Sequence, residues 1–233
     1  MKLKPKYRYE LKYVLPLDTW NKLKYDLLFA MNLDLNILNG EGYTVTSLYF
    51  DDLDLSLYEE KNEGYCHREK LRIRCYNHKS DNIKFEIKGK NDNAVYKQDV
   101  QLTLNEYQDI LNQKYDCLLT KGLVGEKLYW KLVTELVRPK VVVEYDRIAF
   151  MVPLLDIRIS ADTHLRGNGD FDIFKDNPSL DLLSKGLVVL EIKGSEEIPR
   201  FIKDIVKQAN ATQTQNSKYA LAIERIIKGE LIV

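Results

Sequence analysis

The stretch HREKLRIRCYNHKSDNIKFEIKGK, His67 to Lys90, decides the fold. It reads as two strands around a polar turn, Asn77 to Asn82, and a second short turn, Asn91 to Asn93, follows it. Strand side chains alternate between faces. In the first half Leu71, Ile73 and Cys75 share one face, and Arg68, Lys70, Arg72 and Arg74 share the other. In the second half Ile83, Phe85 and Ile87 lie opposite Lys84, Glu86, Lys88 and Lys90. Like charges two apart on a strand stand roughly 7 Å apart and repel unless something neutralises them. An antiparallel sheet with one wet face explains either strand alone.

The pattern recurs in strands far apart in the chain. Glu10 and Lys12 lie opposite Leu11 and Tyr13, and Glu191 and Lys193 opposite Leu190 and Ile192. Val143, Tyr145 and Arg147 share a face, as do Arg158, Ser160 and Asp162. A wet face normally mixes Ser, Thr, Asn and Gln with its charges, whereas these faces hold mainly Arg, Lys and Glu. Curling the sheet would turn the charged faces inward, and about eight strands enclose a lumen that holds one ligand. The expected strands are Tyr7–Leu15, Tyr43–Asp51, His67–Tyr76, Ile83–Lys90, Val95–Leu102, Lys140–Phe150, Leu154–Asp162 and Leu187–Gly194. Helical spacing covers Leu17–Met31 with Asp18 as N-cap, Leu104–Leu111, Glu126–Val137, Ile198–Ala209 and Ser217–Ile227. The expectation is an α+β fold: one domain over residues 1–233, an antiparallel closed or nearly closed β-barrel with a charged lumen, and helices packed outside.

Bulk composition narrows the function. Thirty-five basic residues balance 35 acidic ones. That argues against a protein coated with nucleic acid and makes any basic site local. No apolar run approaches the roughly 18–20 residues that span a membrane, and no apolar h-region follows the N-terminus. No direct membrane insertion is expected. Three cysteines without C-x-x-C spacing fit a reduced, cytoplasmic protein. A buried basic lumen is costly unless paired or filled, so its ligand is a polyanion. Arg forks and Lys charges suit phosphate, and interspersed carboxylates suit Mg²⁺ or Mn²⁺.

The motifs YRYELKYVL, SLYFDD, KLRIRCY, FEIKGK, VEYDRIAF, RISAD, LEIKG and SKY follow one another across nearly the whole chain. In that order they resemble the bacterial VTC domain, a polyphosphate polymerase domain of the triphosphate tunnel metalloenzyme, or CYTH-like, superfamily. The resemblance implies a tunnel in which the γ-phosphate of ATP passes to polyphosphate with a divalent metal, Mn²⁺ or Mg²⁺. It implies Arg72, Arg74, Arg147 and Lys88 as catalytic cations. Lys12, Lys70, Tyr145, Arg158, Lys193, Ser217 and Lys218 would bind phosphates or nucleotide. Glu191 is the first metal-ligand candidate, with Glu10 and Glu86 behind it. A separate membrane partner is conceivable for product export. Many tunnel enzymes open with Glu-x-Glu-x-Lys; here the run is Arg8-x-Glu10-x-Lys12, which speaks against a triphosphate hydrolase. A binding module without turnover is the rival reading, and Glu191 discriminates, because a pure binder needs no metal ligand.

Other features carry less. His67, His78 and His164 have no metal-ligand spacing, and GNGD, Gly167 to Asp170, lacks the strand and helix of a phosphate loop. Asp51 to Lys61 lacks EF-hand spacing and reads as a turn and a short helix.

Overall fold

The computed structural model describes residues 9–34, 37, 40, 42–91, 94–152, 156–177, 179–194, 198–209, 211–215 and 217–232. Its elements run β1 (Tyr9–Pro16), α1 (Leu17–Ala30), β2 (Asn32–Leu33), β3 (Tyr43–Asp51), α2 (Ser56–Asn62), β4 (His67–Tyr76), β5 (Lys79–Asn91) and β6 (Ala94–Leu102). Then come α3 (Leu104–Leu111), a 3₁₀ turn (Asp116–Thr120), α4 (Gly122–Thr134), β7 (Arg138–Val152), β8 (Ile157–Asn168) and β9 (Leu180–Asp181). β10 (Leu187–Gly194), α5 (Arg200–Gln208), β11 (Thr212–Gln213) and α6 (Lys218–Ile227) complete the chain. Tyr7, Arg8, Asp92, Asn93, Leu154 and Leu155, each part of an expected strand or turn, lie outside the described residues.

The strands form one antiparallel sheet in the order β11-β1-β10-β8-β7-β3-β4-β5-β6, with β2 on β7 and β9 on β8. The deciding hairpin forms, but the expected turn over Asn77 to Asn82 is shorter than read: β5 already begins at Lys79, before the expected Ile83. Tyr76 pairs with Lys79, so the loop is only Asn77 and His78. Both have positive φ, 51° and 55°, the twist a two-residue hairpin needs. Arg72 then faces Glu86 across the ladder, and Lys70 faces Lys88.

Of the expected closed or nearly closed barrel, closure is not seen among the described residues: no ladder joins β6 or β5 to β1 or β11, and the sheet is open. The edges explain why. β11 pairs through two residues only, and β6 carries exposed Lys97, Gln98 and Asp99, features that blunt an edge against further pairing. The sheet still curls far enough for side chains to meet across the gap. Lys88 Nζ on β5 lies 3.3 Å from Glu10 Oε2 on β1, although five strands intervene in the sheet order.

Two apolar cores cover the outer face. One packs α3 and α4 on β3, β4 and β5 through Leu48, Phe50, Leu71, Ile73, Phe85, Ile87, Tyr107 and Leu128. The other packs α1 and α5 on β1, β8 and β10 through Leu15, Trp20, Leu27, Ile159, Leu190, Ile192 and Ile202. A third core corrects the expectation that every helix lies outside. α6 places Tyr219, Ala222 and Ile223 against Val45, Tyr49, Val143 and Tyr145, on the face that carries Arg72 and Arg147. This stretch of β3 and β7 is apolar on its inner side, so an amphipathic helix covers it. One further expectation fails locally: the residue before α1 is Pro16, with no side-chain cap, and Asp18 lies in the first turn.

Candidate functional site

The charged faces converge on one cavity with about 80 Å³ of free space. Eight of its twelve lining residues are Arg or Lys and one is acidic, so the enclosed field is strongly positive. β1 supplies Lys12, β4 supplies Lys70, Arg72 and Arg74, and β5 supplies Lys88. β7 supplies Tyr145 and Arg147, β10 supplies Glu191 and Lys193, and Lys218 enters from the first turn of α6 behind its cap Ser217. The alternation read from isolated strands thus brings together residues from opposite ends of the chain.

Local partners fix the basic groups. Arg72 donates to Glu86 Oε2 at 2.7 Å and to Tyr49 Oη at 3.1 Å. Arg74 donates to Ser47 Oγ at 3.0 Å and Tyr145 Oη at 3.2 Å. Lys70 donates to Ser217 Oγ at 2.8 Å, tying the sheet wall to the cap of α6. Burial, reinforced by Lys12, Lys88, Lys61 and Arg68, pushes the Lys70 ammonium well below the usual lysine range. Burial also lowers Lys88 to about 8, with Lys193 and Lys12 adding to it and Glu10 opposing. These lysines are poised to gain a proton when an anion arrives.

The carboxylates divide into two kinds. Glu191 lines the cavity and touches Lys193 at 2.8 Å, Lys218 at 3.2 Å, Lys12 at 3.6 Å and Arg147 at 3.7 Å. Burial disfavours its charge, but Lys218, Lys193, Lys12 and Arg147 outweigh that and hold it well below the usual carboxylate range. Glu10 does not line the cavity but titrates likewise: burial raises it, yet Lys193, Lys88 and Lys12 bring it to about 2. Glu86 does not line the cavity. Its oxygens meet Arg72 at 2.7 Å and Lys97 at 2.6 Å. Asp162, absent from the sequence-derived candidates, is fully buried and binds Arg147 and Lys218.

Among the described residues no three His, Cys, Asp or Glu side chains form a metal cluster. Glu10 and Glu191 nevertheless share one cation: Lys12 Nζ lies 3.1 Å from the first and 3.6 Å from the second. Two such carboxylates suffice for Mg²⁺ or Mn²⁺ when substrate phosphates supply further oxygens, and the pair fits that mode. Arg158 also departs from the cavity. It bonds Asp34 Oδ2 at 2.6 Å and Tyr43 Oη at 2.9 Å and does not line the free space.

Sequence reasoning missed Tyr49 as a wall residue. Its ring stacks on Tyr219 with centroids 5.1 Å apart, and Arg72 Cζ lies 5.9 Å from its ring centre. A tyrosine on the same strand face as Ser47 was the available signal.

The fold, without its pattern of charge, is shared with several solved structures. The chain matches a candidate adenylate cyclase from Bacillus halodurans at 14% identity and TM-score 0.55, over 91% of this chain and 94% of that one. A second candidate adenylate cyclase, from Vibrio parahaemolyticus, matches at 11% identity and TM-score 0.51, over 94% and 98%. A Pyrococcus horikoshii protein matches at 10% identity and TM-score 0.51, over 93% and 99%. At such identities the likeness is one of fold. No curated protein matches the sequence. The VTC domain family matches residues 7–227, and the chain belongs to that family. The resemblance read from the motifs is borne out.

Proposed function

We propose that this protein is a metal-dependent phosphotransferase that moves the γ-phosphate of ATP onto polyphosphate. Eight cationic side chains converging on one narrow cavity carry this reading. VTC family membership supports it, together with a fold suited to a nucleoside triphosphate or polyphosphate. Phosphoryl transfer asks the protein for alignment and charge stabilisation rather than for a covalent nucleophile. In this reading Arg72, Arg74, Arg147 and Lys88 surround the transferring group, and Lys12, Lys70, Lys193, Ser217 and Lys218 hold the flanking phosphates. Arg158 meets the chain outside the cavity, and Glu86 holds Arg72 in place. Glu10 and Glu191 would hold a divalent cation, which when bound would neutralise charge on the phosphate oxygens. An anionic phosphate acceptor needs no general base. Glu191 on the cavity wall, and Glu10, which shares Lys12 with it, are ion-paired and held well below the usual range, which disfavours them as bases for activating water.

The test is synthesis of polyphosphate from ATP with Mn²⁺ by wild type, Arg74→Ala and Glu191→Ala. Long-chain product lost in both variants supports the proposal. Release of inorganic phosphate alone would mark a triphosphate hydrolase, and tight binding without turnover a polyanion-binding module. Unchanged synthesis in both variants would sink the assignment. Among the described residues no helix is long and apolar enough to cross a membrane, so a membrane partner for export would be another chain or lie outside them.

A further inference from the structure

We infer that Asp162 is a positioning residue that sets Arg147 and Lys218 at a fixed separation for one phosphate of the bound chain. This rests on the phosphate-binding reading of the cavity. Asp162 sits on β8 with its side chain wholly out of solvent, and it is not part of the cavity wall. Arg147 Nε donates to Oδ1 at 2.6 Å and Nη2 to Oδ2 at 2.8 Å, a two-pronged fork that fixes the guanidinium plane. Lys218 Nζ reaches the same Oδ2 at 2.7 Å from α6. One carboxylate therefore joins a sheet-borne cation to a helix-borne one. The Tyr145 ring takes up both, with Lys218 Nζ at 4.8 Å and Arg147 Cζ at 5.1 Å from its centre.

Glu191 touches the same two cations, but without a fork and from the cavity side. A phosphate competes with Glu191 for them. It does not compete with Asp162, which holds them from behind. The two carboxylates are therefore expected to respond to neutralisation with opposite sign. Taking one negative charge away near an anion site tightens anion binding through Coulomb's law alone. Loss of a positioning carboxylate loosens it, because the cations lose their geometry.

The experiment is calorimetric titration of tripolyphosphate, without metal, into wild type, Asp162→Asn, Lys218→Met and the double variant, with thermal melts alongside. The expected result is at least tenfold weaker binding for Asp162→Asn. The same change in the Lys218→Met background should cost clearly less, since residues acting through one another are not additive. Arg147→Lys keeps the charge but cannot make the fork. It should also lose about tenfold, and it carries the test if Asp162→Asn fails to fold. Binding by wild type with unchanged or tighter binding in Asp162→Asn, or with wild-type affinity in Arg147→Lys, overturns the positioning role alone. No binding by wild type overturns the phosphate reading and this inference with it.

Discussion

Replacing Glu191 by Gln should lower stability and tighten metal-free polyanion binding together. Breaking a buried ion pair costs roughly 3–5 kcal/mol when a charge is left alone. Here most partners keep another carboxylate. Lys218 and Arg147 retain Asp162, and Lys12 retains Glu10. Lys193 loses its 2.8 Å pair, but its side chain is 31% exposed and can hydrate. The net cost should therefore be smaller, about 1–3 kcal/mol. For a chain of this size that lowers Tm by about 3–10 °C. The gain in affinity follows from the same charge. A unit charge roughly 6 Å from a phosphate, at an effective dielectric of about 20, is worth roughly 2–3 kcal/mol. Mobile cations and salt reduce this, leaving about tenfold tighter tripolyphosphate binding. Scanning fluorimetry and calorimetry in chelator measure both effects. Adding Mn²⁺ should strengthen binding to wild type more than to the variant if Glu191 helps hold the metal. A variant with wild-type Tm and wild-type affinity would refute the view that Glu191 neutralises the cavity.

Arg74→Ala removes a cation that is 7% exposed and held by Ser47 and Tyr145; turnover should fall on the order of 10²-fold with little change in the far-UV spectrum. Lys88 titrates near 8 in the free site, and a bound phosphate raises it, so binding takes up a proton above that pH. The Lys88 contribution to tripolyphosphate affinity should then be constant below about pH 8 and fall by up to tenfold per unit above it, read by calorimetry as the difference between wild type and Lys88→Met. Trp20→Ala opens the outer core, where Trp20 is 2% exposed against Phe150. Chemical denaturation should show a loss of about 3–5 kcal/mol, while ligand affinity of the folded fraction stays within twofold.

The sequence alone determined most of the fold and much of the site. Period-two alternation is a local property, so the boundaries it implies for β3, β4 and β10 match the observed ones, and so do the two faces of Leu71 to Arg74. The sheet order, the open edge and the placement of α6 were not legible there. They depend on which apolar surface is left uncovered once β3 and β7 pair, which no single strand records. The same limit separates the carboxylates. Glu10, Glu86, Asp162 and Glu191 all read as acids on charged faces. Only the packed structure shows that Glu191 faces the cavity, that Glu86 is taken by Arg72 and Lys97, and that Asp162 grips two cations from behind. Alternation fixes the face on which a charge lies, whereas its role depends on the counter-charge it meets, and sheet curvature and helix docking choose that partner.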